Sequence, residues 1–93
     1  MKISENSVLD FAEGVKYRKE DFGILIVSKS TPALSLNHDG EFLWNHIDGK
    51  RSVSELIEIT EKEYNKNAHA KVTELLQNFV DLGLCVIKGS ELA

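Results

Sequence analysis

The sequence predicts one α+β domain, in which a three-stranded antiparallel sheet is followed by three helices. Three short β-type runs separated by turn residues come first, and three amphipathic runs with apolar residues at helical spacing follow them. Strands and helices in separate blocks are typical of α+β layering rather than of a parallel βαβ sheet. The 93 residues suffice for a single hydrophobic core, so we expect one domain over residues 1–93.

A lead-in without a firm period, residues 1–13, precedes the expected sheet over residues 14–37. From Val15 to Glu20 the side chains alternate, with Tyr17 and Lys19 on the same side as Val15. This period of two predicts a strand with one buried face and one exposed face.

The second and third expected strands are short runs between turns. Ile24 to Val27 is continuously apolar, as in a strand at the centre of a sheet or one covered on both sides. Pro32 can begin a strand but not occupy its middle, so the third strand is expected from Ala33 to Leu36. The turns Asp21-Phe22-Gly23 and Lys29-Ser30-Thr31 are short, which favours an antiparallel meander.

The helical part is expected over residues 38–87, and its boundaries carry clear signals. Asn37 is a good N-cap, and Asp48-Gly49 ends the first helix. Ser52, with Glu55 three residues later, predicts a capping box at the start of the second helix. The apolar residues of the first helix, of which Trp44 is expected to lie in the core, are Phe42, Leu43, Trp44 and Ile47.

Two further amphipathic helices are expected, from about Val53 to Tyr64 and from about Ala68 to Leu82. Asn67 is the expected N-cap of the later helix, and Gly83 is its expected C′ residue. The apolar run from Leu84 to Ile87 then forms either a final turn or a small strand. The two apolar faces comprise Val53, Leu56, Ile57, Thr60 and Tyr64 in one helix, and Val72, Leu75, Leu76, Phe79 and Val80 in the other.

Composition indicates an ordinary globular chain. Hydrophobic residues make up 42% and the formal net charge is −4, whereas disorder requires fewer apolar residues and more net charge. The single cysteine, Cys85, excludes a disulfide framework within the chain and favours a cytoplasmic setting. The N-terminus lacks the pattern of a signal peptide, and no window approaches the roughly 20 apolar residues of a membrane span. We therefore expect no membrane contact.

No residue pattern predicts catalysis, a cofactor or a metal. The three histidines, His38, His46 and His69, form no His-x-x-x-His pair, and Cys-x-x-Cys is absent. Cys85 lies in an apolar run without a neighbouring cation, as a buried small hydrophobe does. The glutamates of the second helix fall on its solvated face, and there is no Gly-rich phosphate loop. We expect a protein that is not an enzyme.

Two helices joined by a short turn also raise the alternative of a DNA-binding winged helix-turn-helix regulator, with residues 68–82 as the recognition helix. The charge of the chain argues against nucleic acid as the ligand, because the outward face of this helix carries one lysine among two acids. That face comprises Lys71, Thr73, Glu74, Gln77, Asn78 and Asp81.

The expected third strand, Ala33 to Leu36, is an outer strand of the meander and has no charged side chain to guard its edge. An extended peptide could add there by β-augmentation, with its side chains in a groove beside Leu75 and Leu82 of the last helix. Alternatively, residues 1–13 or the C-terminal run could cover the edge, or two copies could pair there. We therefore expect a monomer or a weak homodimer.

The stretch from Leu36 to Leu56 resembles the signature of PqqD-like proteins, the stand-alone recognition elements for ribosomally synthesised and post-translationally modified peptide (RiPP) precursors. In that family an Asn cap, a helical Gly, a Leu-Trp pair, Asp-Gly, a basic residue, Ser-Val and Glu-Leu recur in this order. The resemblance extends over about residues 13–87. The matching residues are Asn37, Gly40, Leu43, Trp44, Asp48, Gly49, Arg51, Ser52, Val53, Glu55 and Leu56.

The resemblance implies a winged helix-turn-helix-like fold without catalytic activity or cofactor. It implies that the chain binds the leader segment of a precursor peptide as an added strand, in the cleft between the third strand and the third helix. The peptide would then be presented to a modifying enzyme, a radical SAM maturase or a leader peptidase. The implied peptide-binding residues are Ala33, Leu34, Ser35, Leu36, Lys71, Leu75, Asn78, Phe79 and Leu82.

The sequence departs from the family pattern at His38-Asp39, where Pro-Thr is common, and at Asn45-His46, where Glu-Leu is common. These departures leave the expected fold intact but argue against assigning the chain to the pyrroloquinoline quinone pathway. A different peptide product is at least as well supported by the sequence.

Overall fold

The computed structural model describes residues 2–29 and 31–88. The outermost residues of the expected domain and the middle of the expected turn at Lys29-Ser30-Thr31 lie outside the described residues. In chain order the elements are β1 (Leu9–Phe11), β2 (Lys16–Glu20), β3 (Gly23–Val27), β4 (Leu34–Leu36), α1 (His38–Asn45), α2 (Val53–Tyr64), α3 (His69–Asp81) and β5 (Cys85–Ile87).

The three-stranded antiparallel sheet is confirmed, in the order β2-β3-β4, and the three helices follow it. β3 is the central strand, and Ile24 opposes Leu36 in the register with β4. The third strand begins at Leu34 rather than at Ala33. Gly23 follows the two-residue turn after β2 with φ +145°, and a Cβ there would lie 2.0 Å from the carbonyl oxygen of Leu36. The connection between β2 and β3 therefore requires glycine at this position.

A second, two-stranded sheet joins the two ends of the described chain. β1 pairs antiparallel with β5, so that Leu9 opposes Ile87 and Phe11 opposes Cys85. A strand thus lies within the stretch expected to be a lead-in, and the run from Leu84 to Ile87 is a strand rather than a final turn. Leu9 and Cys85 are buried, so this small sheet closes one end of the core.

The prediction that one face of β2 is buried is wrong. Tyr17 is 54% exposed and the Lys19 side chain is exposed as well. The reason is that β2 is an edge strand, whereas the helices cover the inner face of β3, where Ile24 and Ile26 are buried. Lys19 nevertheless reaches the helical layer, since its Nζ donates to Glu41 Oε2 of α1 at 2.5 Å.

Trp44 lies at the centre of the core and is fully buried, as expected. Its ring lies 4.6 Å from that of Phe11 and 5.2 Å from that of Phe79, between centroids, and it also meets the ring of Tyr17 edge-on. Aromatic pairs at these separations add to the free energy gained from burial. The ring therefore joins α1 to β1, to β2 and to α3.

The cap signals of the first two helices are confirmed. The Asn37 side chain accepts a hydrogen bond from the Gly40 N–H at 3.0 Å. Ser52 and Glu55 form a capping box, because each side chain bonds to the other residue's backbone N–H. Gly49, between the two helices, has φ +76°, which fits the expected turn.

The start of α3 differs from expectation, and its end does not. Ala68, not Asn67, occupies the N-cap position; the Asn67 side chain instead accepts from the His69 N–H at 3.1 Å. At the other end Gly83 has φ +78°, and the Leu84 N–H donates to the Phe79 carbonyl at 2.9 Å. This is the expected glycine C′ ending, with buried Leu84 as its apolar contact.

Candidate functional site

Among the residues that the structure describes, no strand pairs with one edge of the three-stranded sheet, and we call this edge open. Within the described residues β4 pairs only with β3, and β1 and β5 pair with each other rather than with β4. Alternate residues of such a strand direct their backbone N–H and C=O groups away from the sheet. Leu36 is buried on the inner face and Ser35 is exposed on the outer face. Neither the N-terminal nor the C-terminal strand thus covers this edge.

The other edge of the same sheet is guarded by charge. Lys16, Arg18, Lys19 and Glu20 make up four of the five residues of β2, whereas β4 reads Leu-Ser-Leu. Charged side chains, lysine above all, discourage the addition of a further strand. The sheet therefore offers one edge at which a strand can add and one at which it is disfavoured.

A groove of about 470 Å³ lies beside the open edge. It is bounded by β4 and the start of α1 on one side and by α3 on the other, and α2 also contributes to its wall. The residues that line it are Ser35, Leu36, Asn37, Asp39, Gly40, Leu43, Thr60, Tyr64, Lys66, Ala68, Lys71, Val72, Glu74, Leu75 and Asn78. Its volume lies within the range of sites that hold small ligands or peptide side chains.

The apolar part of the groove comes from three different elements. Leu36 of β4, Leu43 of α1, and Val72 with Leu75 of α3 line it. Gly40 brings α1 close to the strand, because a Cβ there would lie 3.0 Å from the Cβ of Leu36. Leu75 is only half-buried, so it has apolar surface left to bury against a ligand.

The rim of the groove is charged. Burial raises the pKa of the Tyr64 hydroxyl above its ordinary value, and a hydrogen bond with the Asp39 carboxylate raises it further. Lys66 and Lys71 are exposed, and no carboxylate of the described residues lies within ion-pair distance of either ammonium group. Glu74, one turn after Lys71 on α3, likewise has no ion pair within that part of the chain.

The structure brings together five of the nine residues that the sequence suggested for peptide binding: Ser35, Leu36, Lys71, Leu75 and Asn78 all line the groove. The other four lie elsewhere. Phe79 is fully buried against Trp44, and Leu82 is 37% exposed at the C-cap of α3, away from the groove lining. Ala33 precedes β4, and Leu34 packs against the core.

Sequence reasoning missed the walls that α1 and α2 provide. The most informative of the missed residues are Gly40, Leu43, Tyr64 and Lys66. A helical wheel of α3 shows which flank of that helix is apolar, but it does not show which other element faces that flank. The one weak signal in the sequence for a wall from α2 was the position of Tyr64 at the end of the apolar stripe of that helix. In the structure its side chain is half-buried.

The potentially reactive side chains are engaged elsewhere. His38 Nδ1 lies 3.2 Å from Glu41 Oε1, His46 Nδ1 lies 2.7 Å from the Phe42 carbonyl oxygen, and His69 Nε2 lies 3.4 Å from Glu5 Oε1. Within residues 2–29 and 31–88, no three His, Cys, Asp or Glu side chains come together as they do around a metal ion.

Cys85 is buried, as expected, and burial raises the pKa of its thiol to about 12. The thiolate, which is the nucleophilic form, is therefore suppressed at neutral pH.

Among the helices of the described chain, none combines the length and apolar character that a bilayer crossing requires.

Comparison with known proteins places this architecture in a family. A family model described as "Coenzyme PQQ synthesis protein D (PqqD)" matches residues 23–84, about two thirds of the chain. The chain belongs to the PqqD family. The matched stretch runs from the first residue of β3 to the buried Leu84, so it contains β4, all three helices and every residue that lines the groove. The resemblance seen in the sequence is therefore confirmed.

A solved structure shows the same fold. The PqqD truncation of Methylobacterium extorquens PqqCD superposes with a TM-score of 0.73 at 17% sequence identity, covering 90% of this chain and 94% of that one. That truncation, studied by solution NMR, is described as a functional and stand-alone RiPP recognition element. A search of curated proteins returned no match.

Proposed function

We propose that this PqqD-family chain is a non-catalytic recognition element that binds the leader segment of a ribosomally made precursor peptide. The leader adds as a strand along β4, places alternate side chains in the adjoining groove, and is presented to a modifying enzyme. The observation that carries the proposal is the contrast between the two sheet edges: β4 is open, uncharged and beside a groove, whereas β2 is charged.

The energetics require both the edge and the groove. Three or four added backbone hydrogen bonds contribute only about 3–4 kcal/mol in total. Micromolar binding needs about 8 kcal/mol. Each apolar side chain that is fully buried adds roughly 1.5–3 kcal/mol, so two anchors over Leu36 and Leu75 supply the remainder. An edge strand without a neighbouring groove would therefore bind a leader too weakly to select it.

The partner enzyme follows from this role. The solved structure with the same fold is described as a functional and stand-alone RiPP recognition element. We therefore assign the modification chemistry to a separate enzyme, a radical SAM maturase or a leader peptidase. A cytoplasmic location and a monomer or weak homodimer remain predictions of the sequence.

The test is a titration of the ¹⁵N-labelled protein with the leader segment of the precursor peptide encoded nearest to this chain's gene, followed by NMR. We expect binding tighter than about 100 μM, with amide shifts concentrated in residues 34–37 and 68–78. Binding no tighter than millimolar, or shifts that avoid both stretches, would overturn the proposal.

Duplex DNA serves as the counter-ligand in the same titration. The exposed side chains of α3 include Lys71, Glu74 and Asp81, a poor match to a phosphate backbone. We expect no binding to the duplex at about 0.15 M salt. Salt-sensitive binding to duplex in place of the leader would favour the DNA-binding regulator.

A further inference from the structure

We infer that the outer face of the three-stranded sheet, which is turned away from the helices, docks the modifying enzyme through an acidic patch on that enzyme. The inference rests on the proposed function, because it names the surface that the partner of the same recognition element contacts. The outer face consists of Lys16, Arg18 and Glu20 of β2, Leu25 and Val27 of β3, and Ser35 of β4.

The first step is apolar surface that stays exposed at the centre of this face. Lys16 lies opposite Val27 and Arg18 lies opposite Leu25 in the register, so these four side chains share one face of the sheet. Val27 is 43% exposed and Leu25 is half-buried, whereas the opposite face of β3 is buried against the helices. A depression of about 200 Å³ lies here and can seat an apolar side chain of a partner. It is lined by Lys16, Tyr17, Arg18, Leu25 and Val27.

The second step is the sign of the charge around this apolar surface. Lys16 and Arg18 are basic and Glu20 is acidic, so the face has a net charge of one positive unit. Glu20 Oε2 accepts from Arg18 Nε at 2.6 Å, whereas no carboxylate of the described residues lies within ion-pair distance of the Lys16 ammonium group. The whole chain carries a formal net charge of −4, so the rest of it is acidic. An acidic patch on a partner is therefore attracted to this face in preference to the rest of the molecule.

The third step is the position of the face relative to the groove. Leu36 lines the groove and opposes Ile24, which lies on the inner face of the sheet. An occupant of the outer face therefore leaves the apolar part of the groove free, as the recipient of a presented peptide must. A second copy of the chain fits this face poorly, because a symmetric contact would bring two positively charged faces together.

The small size of the face determines how strong the docking can be. Its strands have at most five residues, so strands about 4.8 Å apart with roughly 3.3 Å per residue give a patch on the order of 15 Å by 15 Å. A stable protein–protein interface buries about 800 Å² on each partner. We therefore expect a transient contact, which suits a protein that delivers peptides in turn.

The experiment titrates the full ¹⁵N-labelled chain with the purified modifying enzyme encoded nearest to its gene, with and without bound leader. We expect the amide signals of residues 16–20 and 23–27 to lose intensity first in both titrations. Losses confined to residues 34–37 and 68–78, or competition between enzyme and leader for one site, would overturn the inference. Preferential binding of the same face to anionic lipid vesicles or to a second copy of the chain would also overturn it.

Two variants of the face have matched controls elsewhere. Val27→Thr keeps the β-branched shape and is expected to weaken enzyme binding roughly three- to tenfold, because a hydroxyl replaces a buried methyl group. Lys16→Gln is expected to weaken it roughly two- to fivefold at low salt. Val86→Thr, at a 49% exposed position of β5, and Lys62→Gln, on the exposed side of α2, leave the affinity unchanged.

Glu20→Gln tests the sign of the charge on the enzyme. This change removes the carboxylate that Arg18 contacts and makes the face more positive, so enzyme binding is expected to tighten roughly two- to fivefold at low salt. The gain disappears at about 0.5 M salt because the charges are screened. Weaker binding by Glu20→Gln would indicate a basic partner and overturn the inference.

The affinity for the leader, measured by calorimetry, separates this inference from the proposed function. Val27→Thr, Lys16→Gln and Glu20→Gln are expected to bind the leader as the wild-type chain does. Enzyme binding that ignores all three changes would overturn the inference and leave the proposed function standing. Absence of leader binding by the wild-type chain would overturn both.

Discussion

Gly23 shows how tightly a single residue can constrain this fold. Its φ of +145° is strained for any other residue, and an added Cβ would lie 2.0 Å from the Leu36 carbonyl oxygen. Gly14 provides the contrast, because its φ is +83° but an added Cβ would meet nothing within 4 Å. The two glycines therefore differ in the space around them, not in the need for positive φ.

We predict that Gly23→Ala lowers the free energy of unfolding by more than about 3 kcal/mol, since strain and steric overlap add. Gly14→Ala serves as the control and is expected to lower it by only about 1 kcal/mol. Urea unfolding of both variants followed by circular dichroism measures the difference. Equal losses in the two variants would contradict the overlap with β4.

Glu41 is the buried carboxylate that links β2 to α1. Hydrogen bonds from Lys19 and from His38 hold the pKa of its carboxyl below the ordinary value of 4.5. A carboxyl whose pKa is lower in the folded chain adds stability above pH 4.5, and that stability is lost as the pH falls through the lower, folded value. Acidification should therefore loosen α1 from the sheet.

We predict that Glu41→Gln reduces the loss of stability between pH 7 and about pH 3, because the variant has no carboxylate to protonate. Urea unfolding at several pH values provides the measurement. Glu58→Gln removes an exposed glutamate of α2 and should keep the wild-type pH dependence. If Glu41→Gln keeps it too, the contact with Lys19 does not contribute to the acid sensitivity.

At the scale of the elements, the helices were the most predictable part of the fold. α2 runs from Val53 to Tyr64 as expected, because the capping box at Ser52 and an apolar face of period 3.6 coincide. The strands β1 and β5 were hard to predict, since each has three residues and is stabilised by a partner about 75 residues away. A pairing of that kind leaves no local signal.

The capping box gives a prediction for α2. We expect Ser52→Ala to lower the free energy of unfolding by about 1 kcal/mol, because the Glu55 N–H loses its acceptor. Ser54→Ala, two residues later in the same helix, is the matched control: Ser54 is exposed, and its backbone N–H still donates to the Glu5 carbonyl. A loss in the control as large as that in Ser52→Ala would show that the cap is not the cause.

For the whole molecule, the helical layer and the open edge were predictable, but the assembly of the groove was not. The apolar flank of α3 and the uncharged β4 can be read from the chain, and both border the groove. The residues of α1 and α2 join them only in the folded chain, where α1 packs against β4 and α2 packs against α3. For the same reason Phe79, which is helically adjacent to Leu75, lies in the core rather than in the groove.

Leu75 should therefore separate binding from folding. We predict that Leu75→Glu weakens leader binding by at least about tenfold, since it places a charge in the apolar part of the groove, while the free energy of unfolding falls by less than about 1.5 kcal/mol. Leu76→Ala, at the next and fully buried position, should lower the free energy of unfolding by about 2–5 kcal/mol. Leader titration and urea unfolding of both variants test this, and parallel losses in Leu75→Glu would place Leu75 in the core.

The unequal edges of the sheet also limit how copies of this chain can polymerise. Growth of a fibre by strand addition needs two receptive edges on every molecule, one for the preceding copy and one for the next. In the described three-stranded sheet the charged β2 disfavours the addition of a strand at one edge, which leaves β4 as the receptive edge. Two copies that pair through β4 therefore have no receptive edge of this sheet left for a third copy. Such a contact closes after two molecules and competes with the ligand instead of seeding an aggregate.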